Sequence, residues 1–524
     1  MIPDDGNPSP PVSMAAEQEP TPEHLPLQEQ QPDMEDAAQS AINQIHHRAR
    51  RGMKALMIRQ VGLQVFTFAG GVIIARKLGP GAYGLFGIAS FLVTLLAQFG
   101  DFGLAPSFIQ RKAELTERDL RVGFTLQQIL LSVMVVIVLI TAPWLTRLYP
   151  KAPPETVWLV RALAFSLYLT SWRTMSALQL ERNLRYEKLA WIEFLEVVIY
   201  QSFAVTLALL NQGTWSYVIA TLVTGVVGTF LVYRACPWKV MLEYDGKVAR
   251  EILRFGIPFQ FQSLVNQMGN WVVPLFVGSR LGPSAVGLLI WSSANGKKPL
   301  IMIDNVTRVA FPHFSRIQDD RAEVERTVAH YLAGMLALGG LWFALLFVSG
   351  PPLIQWIYSG KWVGATTTLA LYSLMLSFEI VSFVTSVALN GIGKVYFLAR
   401  IALARSVLYI AFSVPLVMAI GYNGVPVGML TAQLLTMPWS FNGLGIGSLR
   451  RIMGPIAWVL LPTAASVGVG LAARLVPLQP AVQSVFLLSI VTTVFAMIAW
   501  MAAPEWMRMT IRVRLDAARR RSAH

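Results

Sequence analysis

The chain has 524 residues, 54% of them hydrophobic and only 14% charged, and its mean hydropathy is +0.52. An ordinary soluble domain carries about 25% charged residues, so the deficit excludes a soluble enzyme, a disordered scaffold and a disulfide-stapled module. One cysteine, Cys236, excludes an internal disulfide or a Cys-rich zinc site, and six scattered histidines show no ligand spacing, so neither metal nor cofactor is expected.

Residues 1–47 hold nine acidic residues, eight prolines and no Lys or Arg. That composition reads as a disordered, Pro-rich cytoplasmic tail, or as an upstream start with Met14 or Met34 as the real one. It lacks the basic start and apolar run of a signal peptide. From residue 55 onward, long apolar stretches alternate with short polar breaks, and a bilayer-crossing helix needs about 20 residues. Spans are expected near 55–76, 82–108, 119–148, 155–180, 187–210, 214–234, 249–278, 284–311, 326–359, 363–391, 394–419, 422–446, 453–475 and 480–503. Apolar residues run around every side of these segments, which excludes a soluble helical bundle.

With the N-terminus inside, the inside connections hold 29 of the 43 Lys and Arg residues and the outside connections hold seven. This alternation is the positive-inside rule. It places both termini in the cytoplasm, the basic 504–524 tail included, and puts basic charge beside anionic headgroups. The net charge of +14 therefore points to lipid and not to nucleic acid. The outside loops are too short to fold and carry no acidic pair, against a membrane glycosyltransferase. Ala294-Asn295-Gly296-Lys297-Lys298-Pro299 lacks the glycine and hydroxyl residue of a P-loop, so ATP is not the direct fuel.

An internal duplication organises the body. Leu78-Gly79-Pro80-Gly81-Ala82-Tyr83-Gly84 recurs as Leu281-Gly282-Pro283-Ser284-Ala285-Val286-Gly287, an offset of 203 that also carries Asp101 onto Asp304 and Phe108 onto Phe311. Leu180 and Leu389 correspond at an offset of 209. An even number of spans separates the copies, so the halves are parallel, a transporter plan. The expected fold is an all-α integral membrane protein of about 14 transmembrane helices. It comprises an N-lobe (55–234) and a C-lobe (249–446), two parallel six-helix lobes in pseudo-twofold relation, plus an appended pair (453–503).

These motifs, with Asp101-Phe102-Gly103-Leu104 and Phe108-Ile109-Gln110-Arg111-Lys112, resemble the polysaccharide-transport branch of the multidrug/oligosaccharidyl-lipid/polysaccharide exporter superfamily, the Wzx-type flippases. Ala310-Phe311-Pro312-His313-Phe314-Ser315-Arg316-Ile317-Gln318-Asp319-Asp320 is similar to that family's loop after span 8, and the resemblance covers roughly residues 50–450. It implies two lobes facing a cavity that opens alternately to either side. It also implies an undecaprenyl-diphosphate-linked oligosaccharide as cargo, a bacterial cytoplasmic membrane, and exopolysaccharide, capsule or O-antigen biosynthesis. A polysaccharide polymerase and a chain-length regulator are the implied partners, with the transporter itself a monomer. The acidic leader and the Gln- and Asn-rich span 7 depart from the family pattern.

Seven basic residues fall within spans: Arg59, Arg161, Arg173, Lys297, Lys298, Arg400 and Arg405. Each would cost roughly 2.5–3.5 kcal/mol facing lipid at mid-depth. Arg59, Arg161 and Arg400 lie near span ends, within reach of the interface. Lys297, Lys298 and Arg405 are the deepest and are the leading candidates, with Arg173 and Arg59, to bind a diphosphate through charge-assisted hydrogen bonds. Asn295, Gly296 and Pro299 predict a break in span 8. For Lys297 and Lys298 the alternative is pairing with acids elsewhere. Polar stripes follow helical spacing: Gln60, Gln64, Thr67 and Gly71 in span 1, and Gln260, Ser263, Gln267 and Asn270 beside Asn266 in span 7. They suit sugars or helix–helix contact equally. Among the acids, Asp304 is expected to pair with Arg308, and Glu193 and Glu196 with the Arg182–Lys188 cluster. Glu379, deepest and without a partner nearby in sequence, is the first candidate for coupling to a proton or Na⁺, with Asp101 and Asp304 behind it; membrane potential is the other candidate drive. A small-molecule or multidrug exporter, or a non-transporting envelope scaffold, are the competing functions; a cationic cavity disfavours the first and deep charges the second.

Overall fold

The structure is a computed structural model that describes residues 31–101, 108, 116–183, 185–300, 310–445 and 449–502. Contacts separate two units, Met1–Val65 and Phe66–His524, and the cores and cavities that follow belong to the second. Every regular element among the described residues is helical. In chain order these are α1 (Gln31–Asp101), broken at Gly79, α2 (Glu117–Arg147), α3 (Thr156–Ser171), α4 (Thr174–Arg182), α5 (Tyr186–Leu209), α6 (Trp215–Ala235) and α7 (Gly246–Gln267). A 3-10 turn and a π-helical turn lead into the short α8 (Gly278–Leu281). The remainder are α9 (Pro283–Gly296), α10 (Arg321–Leu353), α11 (Ala365–Gly391), α12 (Val395–Ile420), α13 (Gly424–Gly443), α14 (Leu449–Arg474) and α15 (Pro480–Ala502).

Nine stretches among the described residues are long and apolar enough to cross a bilayer, and two of them, Gly62–Gln98 and Val395–Gly443, each hold two helices. The expected spans 4, 7 and 8 are interrupted helices. Span 4 divides at Trp172 and Arg173; span 7 carries Pro274, which has no N–H to donate, inside its π-helical turn; span 8 leaves the helix at Gly296. Residues 1–30 of the acidic leader, the 503–524 tail, the motif residues 102–107 and 109–112, and residues 301–309 with Asp304 and Arg308 lie outside the described residues; residues 31–47 of that leader, expected to be disordered, instead form the start of α1.

Within the first half α3 packs on α2 and α6, and α5 on α6. Within the second, α10 and α13 flank α11, and α12 pairs with α13. Helices α14 and α15 pair with each other and both lie on α10. One apolar core draws on both halves: Leu85, Ile88 and Leu92 of α1 and Leu159 of α3 join Val277, Val286, Met375 and Val425. All of these lie toward the end that carries the glycine-proline turns. At the opposite, basic end one core joins Phe108, Phe124 and Met175 of the first half to Ala249 and Ile252 of α7, and another is built on Phe314, Leu336 and Leu389 of the second half. The halves therefore meet at both ends, through the shared core beside the turns and through α7 at the basic end.

The duplicated motif makes the first of these junctions. Gly79 (φ 75°) and Gly282 (φ 93°) adopt the same left-handed conformation, which L side chains rarely reach, and each turns the chain into a proline-headed helix. Gly84 then lies against the Pro283 carbonyl, and Gly287 lies against the Pro80 carbonyl, so the two motifs contact each other reciprocally. The flanking residues repeat the exchange. Lys361 Nζ donates to the Lys77 carbonyl at 2.8 Å and its chain lies beside Gly79, while Lys151 lies beside Gly282. This is a pseudo-twofold relation between parallel halves, built on backbone contact that only glycine allows.

Because a Cβ on Gly84 or Gly287 would overlap the opposing carbonyl, Gly84→Ala and Gly287→Ala are expected to lower the unfolding temperature of the purified protein. Gly71→Ala, where a Cβ meets nothing within 4 Å, should instead gain up to about 1 kcal/mol of helix propensity. Thermal unfolding in detergent compares the three.

Candidate functional site

The deep charges of the second half are placed by one tight helix contact. Helix α9 ends at Gly296, where a Cβ would meet Tyr372 Cβ at 2.8 Å and the Ser373 nitrogen at 3.2 Å, and Trp342 Nε1 donates to the Gly296 carbonyl at 2.9 Å. That contact holds the following residue, Lys297, against α11. Its ammonium donates to Glu379 Oε1 at 2.5 Å and lies 5.4 Å from the centre of the Tyr372 ring. The two side chains are 17% and 23% exposed, so the pair is largely withdrawn from solvent.

Glu379, Ser382 and Ser386, at i, i+3 and i+7 on α11, face Arg405 and Tyr409, at i and i+4 on α12, and Gln433 of α13 across a cavity of about 510 Å³. Arg405 Nε donates to Thr436 Oγ1 at 3.1 Å, which occupies one of the five guanidinium N–H groups. Glu379 Oε2 is buried with no hydrogen-bond partner among the described residues. An adjoining cavity of about 420 Å³ holds Lys297 and Tyr372 and shares Asn270, Tyr409 and Met429 with the first. Arg405 and Glu379 thus line one cavity and Lys297 the adjoining one, and the two cations are N–H donors of the kind that phosphate oxygens accept from.

A second polar cavity, of about 520 Å³, lies between α2, α3, α4 and the basic end of α1 in the first half and the C-terminal part of α7. Gln98, Gln127, Gln260, Ser263 and Arg173 line it. Arg173 is paired with Glu196 of α5, and Gly228 of α6 supplies the room for that pair.

Several sequence expectations are redistributed. Lys298 does not line these three cavities: successive residues leave a helix end in different directions, and its ammonium lies 4.5 Å over the Phe68 ring. Asn295 donates back to the Trp291 carbonyl at 2.8 Å within its own helix, and Gln267 accepts from Asn270 at 3.3 Å; neither is among the residues lining the three cavities. Lys297 meets an acid from another helix, the alternative weighed for it, and Glu379 has a partner that is remote in sequence. Glu196 meets Arg173 in place of the Arg182–Lys188 cluster, and Glu193 is exposed. The span 7 stripe is split, Gln260 and Ser263 going to one cavity and Asn270 to the other. Arg161 donates to the Leu139 carbonyl at 3.1 Å and lies over Trp158, and Arg400 is exposed. Gln64 is exposed in the smaller unit, and the Gln201 amide takes the Thr67 carbonyl at 2.9 Å. The side chains of Arg59, Gln60, Asp101 and Asn266, and Asp304 entirely, lie outside the described residues. Sequence reasoning missed Gln98, Gln127 and Gln433, and it missed Ser382 and Ser386 as a polar face with Glu379; the i, i+3, i+7 spacing was the available signal.

The sequence pattern of the family described as polysaccharide biosynthesis protein matches residues 73–367, more than half of the chain. The chain belongs to that family. It is 24% identical over 282 residues to the teichuronic acid biosynthesis protein TuaB of Bacillus subtilis, covering 52% of this chain and 57% of that one. It is 25% identical over 315 residues to the succinoglycan biosynthesis transport protein ExoT of Rhizobium meliloti, covering 58% of this chain and 61% of that one. The matched region thus spans about three fifths of either relative. Among solved structures, the lipid II flippase MurJ in an inward closed conformation superposes with a TM-score of 0.71 over 87% of this chain and 99% of its own, at 16% identity. That likeness is one of fold, and it meets the expectation of an exporter-superfamily architecture drawn from the repeated motif.

If Lys297 and Glu379 act as a pair, their effects on stability will not add. Lys297→Met and Glu379→Gln should each destabilise the protein, and the double variant should recover a coupling on the order of 1–3 kcal/mol. A double-mutant cycle of unfolding free energies in detergent measures it; additivity would mean the two side chains do not interact.

Proposed function

We propose that this protein is a flippase that carries an undecaprenyl-diphosphate-linked oligosaccharide across the bacterial cytoplasmic membrane by alternating access. The observation that carries the reading is a pair of adjoining cavities, one lined by Arg405 and Glu379 and the other by Lys297, with the Lys297–Glu379 ion pair between them. The diphosphate would bind Lys297 and Arg405, and the prenyl tail would stay in lipid. The positive-inside pattern makes the basic end the cytoplasmic one, so cargo would enter from the side on which it is made. Family membership and relatives named for teichuronic acid and succinoglycan biosynthesis support a glycan cargo.

The cavity's own chemistry supplies a step for this reading. Glu379 holds Lys297 while the cavity is empty of cargo, and a diphosphate must take the lysine from the carboxylate. Released, Glu379 becomes an acid free to receive a proton or Na⁺, which would link cargo binding to ion entry. A polymerase and a chain-length regulator, taking the flipped product on the far side, remain part of the proposal, as does a monomeric transporter. A small organic cation fits this site poorly, because two cations face it against one carboxylate.

The test uses purified protein in liposomes with a fluorescent polyprenyl-diphosphate sugar. Arg405→Ala should weaken binding about 10- to 100-fold, the loss of a charge-assisted hydrogen bond, and stop flipping. Lys297→Ala should be worse, since it also leaves the Glu379 carboxylate facing the phosphates. Glu379→Gln should bind at least as tightly as the wild type while losing dependence on the ion gradient. Unimpaired flipping by both cation variants would overturn the assignment.

A further inference from the structure

The connection between the two halves, residues 236–245, is not helical, yet it sorts its side chains by face. Helix α6 has 21 residues, which at about 1.5 Å each cross the roughly 30 Å of hydrocarbon, so the chain reaches headgroup depth near Cys236. Tyr233, in the last turn of α6, donates its hydroxyl to the Trp238 carbonyl at 2.9 Å and keeps the connection beside the helix it leaves. From there to α7, inward and outward side chains alternate as in an extended chain, with one slip at Met241 and Leu242. Trp238 and Val240 turn inward onto the core that holds Phe124 and Ile252. Glu243 and Asp245 turn inward as well. Arg118 of α2 reaches Glu243 at 3.2 Å and Asp245 at 3.0 Å, and the Glu243 N–H donates to Thr125 Oγ1 at 2.8 Å.

What is left on the outside is apolar and basic. Met241, Leu242 and Tyr244 are 54%, 73% and 70% exposed, and Lys239, Lys247 and Arg250 are exposed beside them. With Arg254, four exposed cations between residues 236 and 254 stand against one exposed carboxylate, Glu251. We propose that this face docks on the cytoplasmic leaflet, Leu242 and Tyr244 resting where headgroups meet acyl chains and the cations lying on anionic lipid phosphates. Large apolar side chains are costly in water, whereas the interface accepts them, and it suits a Tyr ring and the long stems of Lys and Arg. Charge selects the surface. The acids of the connection are turned in and matched by Arg118, so the outward field is positive and complements an anionic headgroup layer. A second copy is disfavoured, because a twofold contact would set these cations against themselves. Helix α7 starts at Gly246, directly after this face, and carries Gln260 and Ser263 to the first-half cavity, so lipid attachment would fix the depth at which that helix begins. The inference goes beyond the flippase reading and needs only the positive-inside assignment of this end.

The experiment attaches a fluorophore at Leu242→Cys in the full-length Cys236→Ser protein, reconstituted in nanodiscs of phosphatidylcholine alone or mixed with phosphatidylglycerol. Acrylamide, a neutral aqueous quencher, reports water at the label, and a nitroxide carried on a lipid chain reports membrane. Adding phosphatidylglycerol should protect the label from acrylamide severalfold and expose it to the nitroxide. Lys239→Gln, Lys247→Gln and Arg250→Gln, changes at exposed positions, should each lower the ratio of docked to free label about fivefold in the anionic discs. A label equally open to acrylamide in both lipid mixtures would overturn the proposal. So would protection without nitroxide quenching, which would mark another part of the chain as the occupant. Protection in detergent that grows with protein concentration would overturn it too, by showing a second copy on this face. None of these readings depends on cargo or on transport, so they stand apart from the test of the flippase.

Discussion

Charge withdrawn from water is the constraint that shapes this protein. An ammonium in the hydrocarbon layer is tolerated when a carboxylate, an aromatic face or an internal cavity receives it. Lys297 has all three, in Glu379, the Tyr372 ring and the space it lines. Arg173 has Glu196 and a cavity of its own, and Lys298 has the Phe68 ring. The pairs are formed between helices and not within them, so each couples the position of one span to another. A buried pair of this kind contributes little net stability against a well-packed apolar pair, because desolvation offsets the attraction. Its retention is better explained by what the separated charges can do than by what the joined charges hold together.

The second constraint is backbone proximity. Helices in a bilayer gain little from apolar contact with one another, since lipid tails are equally apolar, so close approach at small residues does the joining. The reciprocal contacts of Gly84 with Pro283 and Gly287 with Pro80 place that joining at one end of the molecule. At the other end, α7 of the second half packs into the core around Phe124 through Ala249 and Ile252, while Leu389 belongs to a core of the second half alone.

The sequence made the fold legible because its signals are periodic or repeated. Apolar length marked the helices, the alternating basic loops their direction, and the copied Leu-Gly-Pro turn the duplication. The site was legible in part. Lys297, Arg405 and Glu379 stood out as charges in apolar surroundings, yet their pairing spans 82 residues and depends on Gly296 lying flat against α11, which no local spacing encodes. Lys298 looked identical to Lys297 in sequence and differs only in the direction it leaves the helix end. Gln98 and Gln127 went unnoticed for a different reason. A neutral amide in a span carries a smaller desolvation cost than a charge, so it gives a weak signal until its partners are known.

The cavities of the two halves differ in chemistry. Arg405, Glu379 and Lys297 bring charge to those of the second half, whereas the one in the first is lined by neutral amides and hydroxyls with Arg173 matched by Glu196. The segment around α7 is what keeps the two in register, and it is also where the helix changes to 3-10 and π geometry. A shift of that segment during opening would move Asn270 against Arg405 and Gln260 against Gln127 together, so both cavities would change in one motion. Irregular backbone within a span is tolerated where it lines a cavity, and here it lies between the cavities of the two halves.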